Sequence, residues 1–188
     1  MVGQSGQERP VQIESISGSG RLIDIGSRMI LRLPESASAA APSRGQVAIE
    51  GTVAGKPYVG MLEPDGLRGH WIDLTGMPEI GQEETIDFDL HRCAQWPEPT
   101  IPNDMHDALE SEKAAEQQWN DITPMARWEW VRWVGATKNP VTRAKRIEVT
   151  ISKLLAGKRR PCCFDLSSCT DPELSKGGKL SLPHITES

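Results

Sequence analysis

The sequence predicts an α+β chain: a small six-stranded β-barrel followed by a three-helix module. Three observations predict it. Short alternating apolar segments separated by turn signals recur between residues 11 and 91. A proline-rich stretch with no periodicity covers residues 92–103 and reads as a linker. Beyond it, the apolar spacing changes to that of amphipathic helices over residues 104–164. Residues 1–10 and 165–188 lack such patterns and read as disordered.

The barrel elements follow in order. Val11, Ile13 and Ile16 begin a strand in "VQIESIS", "SGSG" reads as a turn, and "RLIDI" continues the strand region. "SRMILRLP" alternates Met29, Leu31 and Leu33 against Ile30 and Arg32, and "ESASAAAPSRG" reads as loop or one short helical turn. "QVAIEGTVAGKPYVGML" is a hairpin: Val47, Ile49, Gly51 and Val53 alternate, "AGKP" turns, and Tyr58 to Leu62 return. Pro64, Asp65 and Gly66 stand in turn order before the strand "HWIDL". In "ETIDFDL", Ile86, Phe88 and Leu90 share one face, and Asp87 and Asp89 take the solvated one. Six short strands in so few residues imply a small barrel or sandwich, and closure removes most exposed edges.

The helices carry their own signals. Asn103 or Asp104 caps a first helix with Met105, Ala108, Leu109, Glu112, Ala115 and Trp119. Thr123-Pro124 and Asn139-Pro140 each place a capping side chain before a proline, so residues 124–135 and 140–156 are separate helices, the second ending at Gly157. On the first of these, Ala126, Trp130, Trp133 and Val134 share a core face, with Trp128 and Val131 beside it. On the second, Ala144, Ile147, Ile151, Leu154 and Leu155 form the apolar stripe. Trp130 and Trp133 are expected in the helical core, and Trp128 partly exposed over the helix pair.

Charge is unevenly spread. Residues 1–122 hold 9 Lys/Arg and 20 Asp/Glu, whereas residues 123–160 hold 10 and 2. A basic segment on an acidic body suits a polyanion or simply complements that body. The candidates for a nucleic-acid contact are Arg143, Lys145 and Arg146 on the last helix and Lys158, Arg159 and Arg160 after it. Tyr58, Trp71 and Trp96 are candidates to line a small-ligand cleft between barrel and helices.

No catalytic grouping, phosphate-binding loop or nucleophile elbow is present, so the chain reads as non-enzymatic, with no cofactor. The histidines are scattered. Cys162, Cys163 and Cys169, even with His184, match no familiar zinc spacing and read as reduced thiols, so no metal site is expected. No apolar run is long enough to span a membrane, and the N-terminus has no apolar signal core, which points to the cytoplasm.

"WVGATKNPVTRAKRIEVTISKLLAGKRRPCCFD" resembles the helical module of the YdeI/OmpD-associated, or bacteriocin-protection, family. The resemblance lies in Trp133, Ala136, Lys138, Pro140, Thr142, Arg143, Arg146, Ile147, Leu155, Gly157 and Lys158, with "IPNDMHDAL" as the lead-in. "LRLP", "VAIEGTVAGKPYVGMLEPDG" and "IGQEETIDFDL" are similar to the uncharacterised β-barrel domain that commonly precedes this module. Together these cover residues 11–164. The resemblance implies a barrel like the double-split barrels of swapped-hairpin transcription factors, and no catalytic residues. It implies a binding role in tolerance of bacteriocins or cationic antimicrobial peptides, with a protein or peptide partner. An outer-membrane porin is the other partner it implies, against which the missing signal segment speaks.

Overall fold

The computed structural model describes residues 15–77, 80, 84–161 and 170–182. Strands β1 (Ser15–Ile25), β2 (Arg28–Arg32), β3 (Val47–Val53), β4 (Lys56–Pro64), β5 (His70–Asp73) and β6 (Thr85–Arg92) close an antiparallel barrel in the order β1-β2-β5-β4-β3-β6. Of the loop or short helical turn expected after β2, the structure forms a short helix, α1 (Glu35–Ala39). The barrel interior is filled by Ile16, Leu31, Leu33, Val47, Ile49, Val53, Leu62, Ile72, Ile86, Phe88 and Leu90. Ile86, Phe88 and Leu90 point inward as their alternation requires, while Asp87 and Asp89 stay exposed and accept hydrogen bonds from the hydroxyls of Ser19 and Ser15.

"SGSG" is not a turn. It lies inside β1, which pairs with β6 over Ser15–Arg21 and with β2 over Arg21–Ile25. One strand thus serves two neighbours, and glycine permits the close approach this needs. Gly18 has φ +153°, and a Cβ on Gly20 would lie 2.7 Å from the Arg32 carbonyl oxygen. The β3–β4 hairpin turns through Ala54 and Gly55, with φ of 50° and 71°. Positive φ at both positions is what a two-residue primed turn demands.

The helical module has four helices rather than three: α2 (Asn103–Ser111), α3 (Lys113–Asp121), α4 (Pro124–Gly135) and α5 (Pro140–Leu155). The expected first helix breaks at Glu112, whose φ and ψ are −127° and 87°. Met105 and Leu109 form one buried pair, Ala115 and Trp119 another. The step from Leu109 to Ala115 would turn an unbroken helix by about 240°. Both pairs reach one core only because the helix breaks. Thr123 and Asn139 cap α4 and α5, as expected. Ile147 and Leu154 are buried, but Ala144 and Leu155 are exposed.

Between Arg92, which ends β6, and Asn103, which starts α2, the proline-rich stretch has no regular structure, yet it is packed. The Cys93 amide donates to Ala48, Ile101 joins the helical core, and Glu98 pairs with Arg127 at 2.7 Å.

The expected disordered tail is corrected for residues 170–182. β7 (Ser175–Lys176) and β8 (Lys179–Leu180) form a small hairpin, turned by Gly177 and Gly178 at positive φ. Leu174 and Leu180 are buried against Ile23, Ile30 and Trp71 on the outer wall of the barrel. Burial of apolar area drives this docking. Val11, Ile13, Cys162, Cys163, Cys169 and His184 lie outside the described residues.

Candidate functional site

Strand alternation gives the barrel an outer face as well as a core. On β4 it carries Val59, Met61 and Glu63; on β5 it carries Trp71 and Asp73. Helix α4 lies across this face with Trp128, Val131, Arg132 and Gly135, a stripe at i, i+3, i+4 and i+7 spacing. The C-terminal hairpin supplies a third wall with Asp171, Ser175, Gly178 and Lys179. Together they enclose a cleft of about 860 Å³, within the range of small-ligand sites.

Charged side chains sit deep in this cleft. Arg132 Nη1 donates to both oxygens of Glu63, at 3.0 and 2.7 Å, and the two side chains are only 13% and 14% exposed. Glu63 also accepts from Gln46. Burial pushes the Glu63 carboxyl above the ordinary carboxylate range, although the Arg132 charge pulls the other way. Arg28 bridges Asp73 and Asp171, the latter at 2.7 Å, and so ties the hairpin to β5. Ser27 adds a second tie, its amide and hydroxyl both donating to Glu173 at 2.8 Å.

Two of the three predicted cleft residues are there. Tyr58 packs with the barrel core, lines the cleft and donates from Oη to the Asp73 carbonyl at 3.2 Å. Gly60 makes room for it, since a Cβ there would lie 2.5 Å from the Tyr58 oxygen. Burial, then the charges of Asp73 and Glu63, raises the Tyr58 pKa well above that of a free phenol. Trp71 is 7% exposed, and its indole N–H has no partner among the described residues. Trp96 is placed elsewhere. It packs with Ala48, Met61, Cys93 and Trp128 behind the cleft. Trp128 therefore covers barrel rather than the helix pair, its indole donating to Pro97 at 2.7 Å.

The basic candidates do not come together. Arg143 grips Asp104 through Nε and Nη2 at 2.6 and 2.8 Å, joining α5 to α2. That contact holds the Asp104 carboxyl below its usual range. Arg146 lies 5.3 Å from the Trp133 ring centre and donates to the Trp133 carbonyl. Trp133 is only partly buried and meets the fully buried Trp130 edge-on at 6.0 Å. Lys145 pairs with Glu148, Arg159 with Asp121 and Arg160 with Glu129. Lys158 is exposed. Arg143 and Arg146 therefore hold helices of the module together, while Lys145, Lys158, Arg159 and Arg160 stay largely exposed to solvent, three of them paired with acidic neighbours.

These contacts fall within a recognisable module. Residues 98–157 match the family model described as "Bacteriocin-protection, YdeI or OmpD-Associated". The helical module belongs to the YdeI/OmpD-associated family. The match spans α2 to α5 and leaves the barrel outside. No curated protein and no solved structure matches the chain. Within the YdeI/OmpD-associated module, Arg143 and Arg146 are thus joints between helices. Arg132 is the charge that faces outward to the barrel.

Glu63, Asp73, Arg28 and Arg132 are the site residues that sequence reasoning missed. A signal for Arg132 existed: Trp128, Val131, Arg132 and Gly135 form a second stripe on α4, beside the core stripe. Nothing in the sequence pairs that stripe with the outer face of β4.

Among the described residues, His106, Asp107 and Glu110 form the group whose ligand atoms lie close enough for a metal. All three are exposed on α2, and nothing else organises them.

Proposed function

We propose that this chain is a non-catalytic binding protein of the bacterial cytoplasm, acting in tolerance of bacteriocins or cationic antimicrobial peptides, with its ligand in the cleft between barrel and α4. The observation that carries the site is the cleft itself, about 860 Å³ walled by Tyr58, Met61, Trp71, Trp128 and Val131 around the Glu63–Arg132 pair. Apolar walls with a few fixed polar groups are what a small-ligand site requires. Membership of the helical module in the YdeI/OmpD-associated family supports the protective role. A nucleic-acid surface is the weaker reading, because Arg143, Arg146, Arg159 and Arg160 already have partners inside the module.

One variant tests site and role together. A Cβ on Gly135 meets no atom within 4 Å, so Gly135→Phe projects a ring into open cleft space. A strain lacking the gene should lose survival under a cationic antimicrobial peptide. The wild-type gene should restore it and Gly135→Phe should not. Equal rescue by both would separate the cleft from the function, and unchanged survival on deletion would remove the protective role.

A further inference from the structure

The hydrogen-bonding groups of the cleft select a kind of ligand, given the reading that the cleft binds one. Its carboxylates are occupied. Glu63 accepts from Arg132 and Gln46, Asp73 from Arg28 and the Thr75 amide, and Asp171 from Arg28 and the Glu173 amide. Arg28 is occupied as well, donating through Nε, Nη1 and Nη2 to Thr75, Asp171 and Asp73.

Arg132 is different. Only Nη1 donates, and both contacts go to Glu63. Its Nε and Nη2 have no acceptor among the described residues. That edge is the one that forms two parallel N–H···O bonds with a carboxylate. It is not sealed off, since among the described residues the sealed side-chain nitrogens without partners belong to His70 and Trp71. Trp71 contributes the second unpartnered donor of the cleft, and Lys179 is exposed at its hairpin wall. A buried donor left without an acceptor costs about 1–3 kcal/mol. Free donors beside carboxylates that already have donors of their own favour a ligand that brings acceptors.

We propose that the cleft binds an apolar carboxylic acid, its carboxylate on the Nε–Nη2 edge of Arg132 and its apolar body against Tyr58, Trp128 and Val131. Glu63 opposes a second anion. It is faced by Gln46 and Arg132, with Asp73 and Asp171 further off, and burial already favours its protonated form. The acid is either a free small molecule or the C-terminus of an apolar peptide, since both present the same group.

The test uses the full chain and three matched probes: 2-naphthaleneacetate, its methyl ester, and 2-(2-naphthyl)ethylamine. Binding is followed by titration calorimetry. The acid should bind about tenfold more tightly than the ester or the amine. Arg132→Lys keeps the charge but loses the fork, and should weaken the acid about tenfold while leaving the ester unchanged. Circular dichroism checks that the variant folds. Glu63→Gln removes the opposing charge and should tighten the acid several-fold, so the proposal stays open to refutation if Arg132→Lys fails to fold. Ester or amine binding as tightly as the acid overturns the ligand class alone. Silence from every probe overturns the ligand class, while failed rescue by Gly135→Phe would still uphold the cleft. N-acetyl-leucyl-phenylalanine and its C-terminal amide separate the two sources: a peptide acid that outbinds naphthaleneacetate marks a peptide end, and the reverse marks a free acid.

Discussion

Arg132→Met should destabilise the protein by about 3 kcal/mol at neutral pH. The Arg132 and Glu63 side chains are 13% and 14% exposed, so solvent screens their attraction little. Removing one partner of such a pair leaves the other charge buried, at a typical cost of about 3–5 kcal/mol. Two features put this case at the lower end. Glu63 keeps the Gln46 donor, and its carboxyl is already raised by burial, so it takes up a proton readily. Glu63→Gln leaves an amide oxygen that still accepts from Arg132 and should cost only about 1 kcal/mol. The double variant should then cost about 2 kcal/mol less than the sum of the two. Urea unfolding followed by tryptophan fluorescence measures all four proteins. The pH dependence has a defined sign. Without Arg132, the folded-state pKa of Glu63 rises further above its unfolded value of about 4.3. The penalty is full above the folded pKa and shrinks as pH falls toward the unfolded one. Additive single effects, or a penalty that grows on acidification, would refute this account of the pair.

Three further outcomes are expected. Ala54→Gly should raise stability by about 1 kcal/mol in thermal unfolding, because Ala54 holds φ of 50°, a conformation costly to a residue with a Cβ. Asp104→Asn should cost up to about 1 kcal/mol at neutral pH, a modest figure for a half-exposed pair. Because Arg143 depresses the Asp104 carboxyl, the stability it gives is present above the unfolded pKa and lost as pH falls through the folded one; the variant should show a shallower acid loss near pH ~4. Leu174→Ala should cost about 2–4 kcal/mol if the hairpin unfolds with the whole protein. It should also loosen the hairpin and make Trp71 accessible to acrylamide quenching, whereas unchanged quenching would mean that the hairpin stays docked without Leu174.

Regular periodicity made most of the barrel legible. The alternation in β6 and the β3–β4 hairpin needed only local patterns, and Asn139-Pro140 marked the start of α5 without tertiary help. The errors arose where distant contacts decided the outcome. "SGSG" has turn composition, yet the barrel uses its glycines where β1 passes from one partner strand to the other. Glu112 carries no helix-breaking signal of its own; the break follows from where Met105, Leu109, Ala115 and Trp119 must be buried. The hairpin at residues 175–180 is too short to show alternation, and its leucines are buried only because the outer face of the barrel offers Ile23, Ile30 and Trp71. Tyr58 and Trp71 were legible as cleft residues from their aromatic character. The Glu63–Arg132 pair was not, because it joins positions 69 residues apart.

The most direct test of the cleft as the ligand site is amide and indole NMR of the full chain titrated with 2-naphthaleneacetate. Saturable shifts centred on Tyr58, Trp71, Trp128 and Arg132 are the predicted result. Saturable shifts centred instead on Arg143, Lys145 and Lys158, with the cleft signals unmoved, would contradict it.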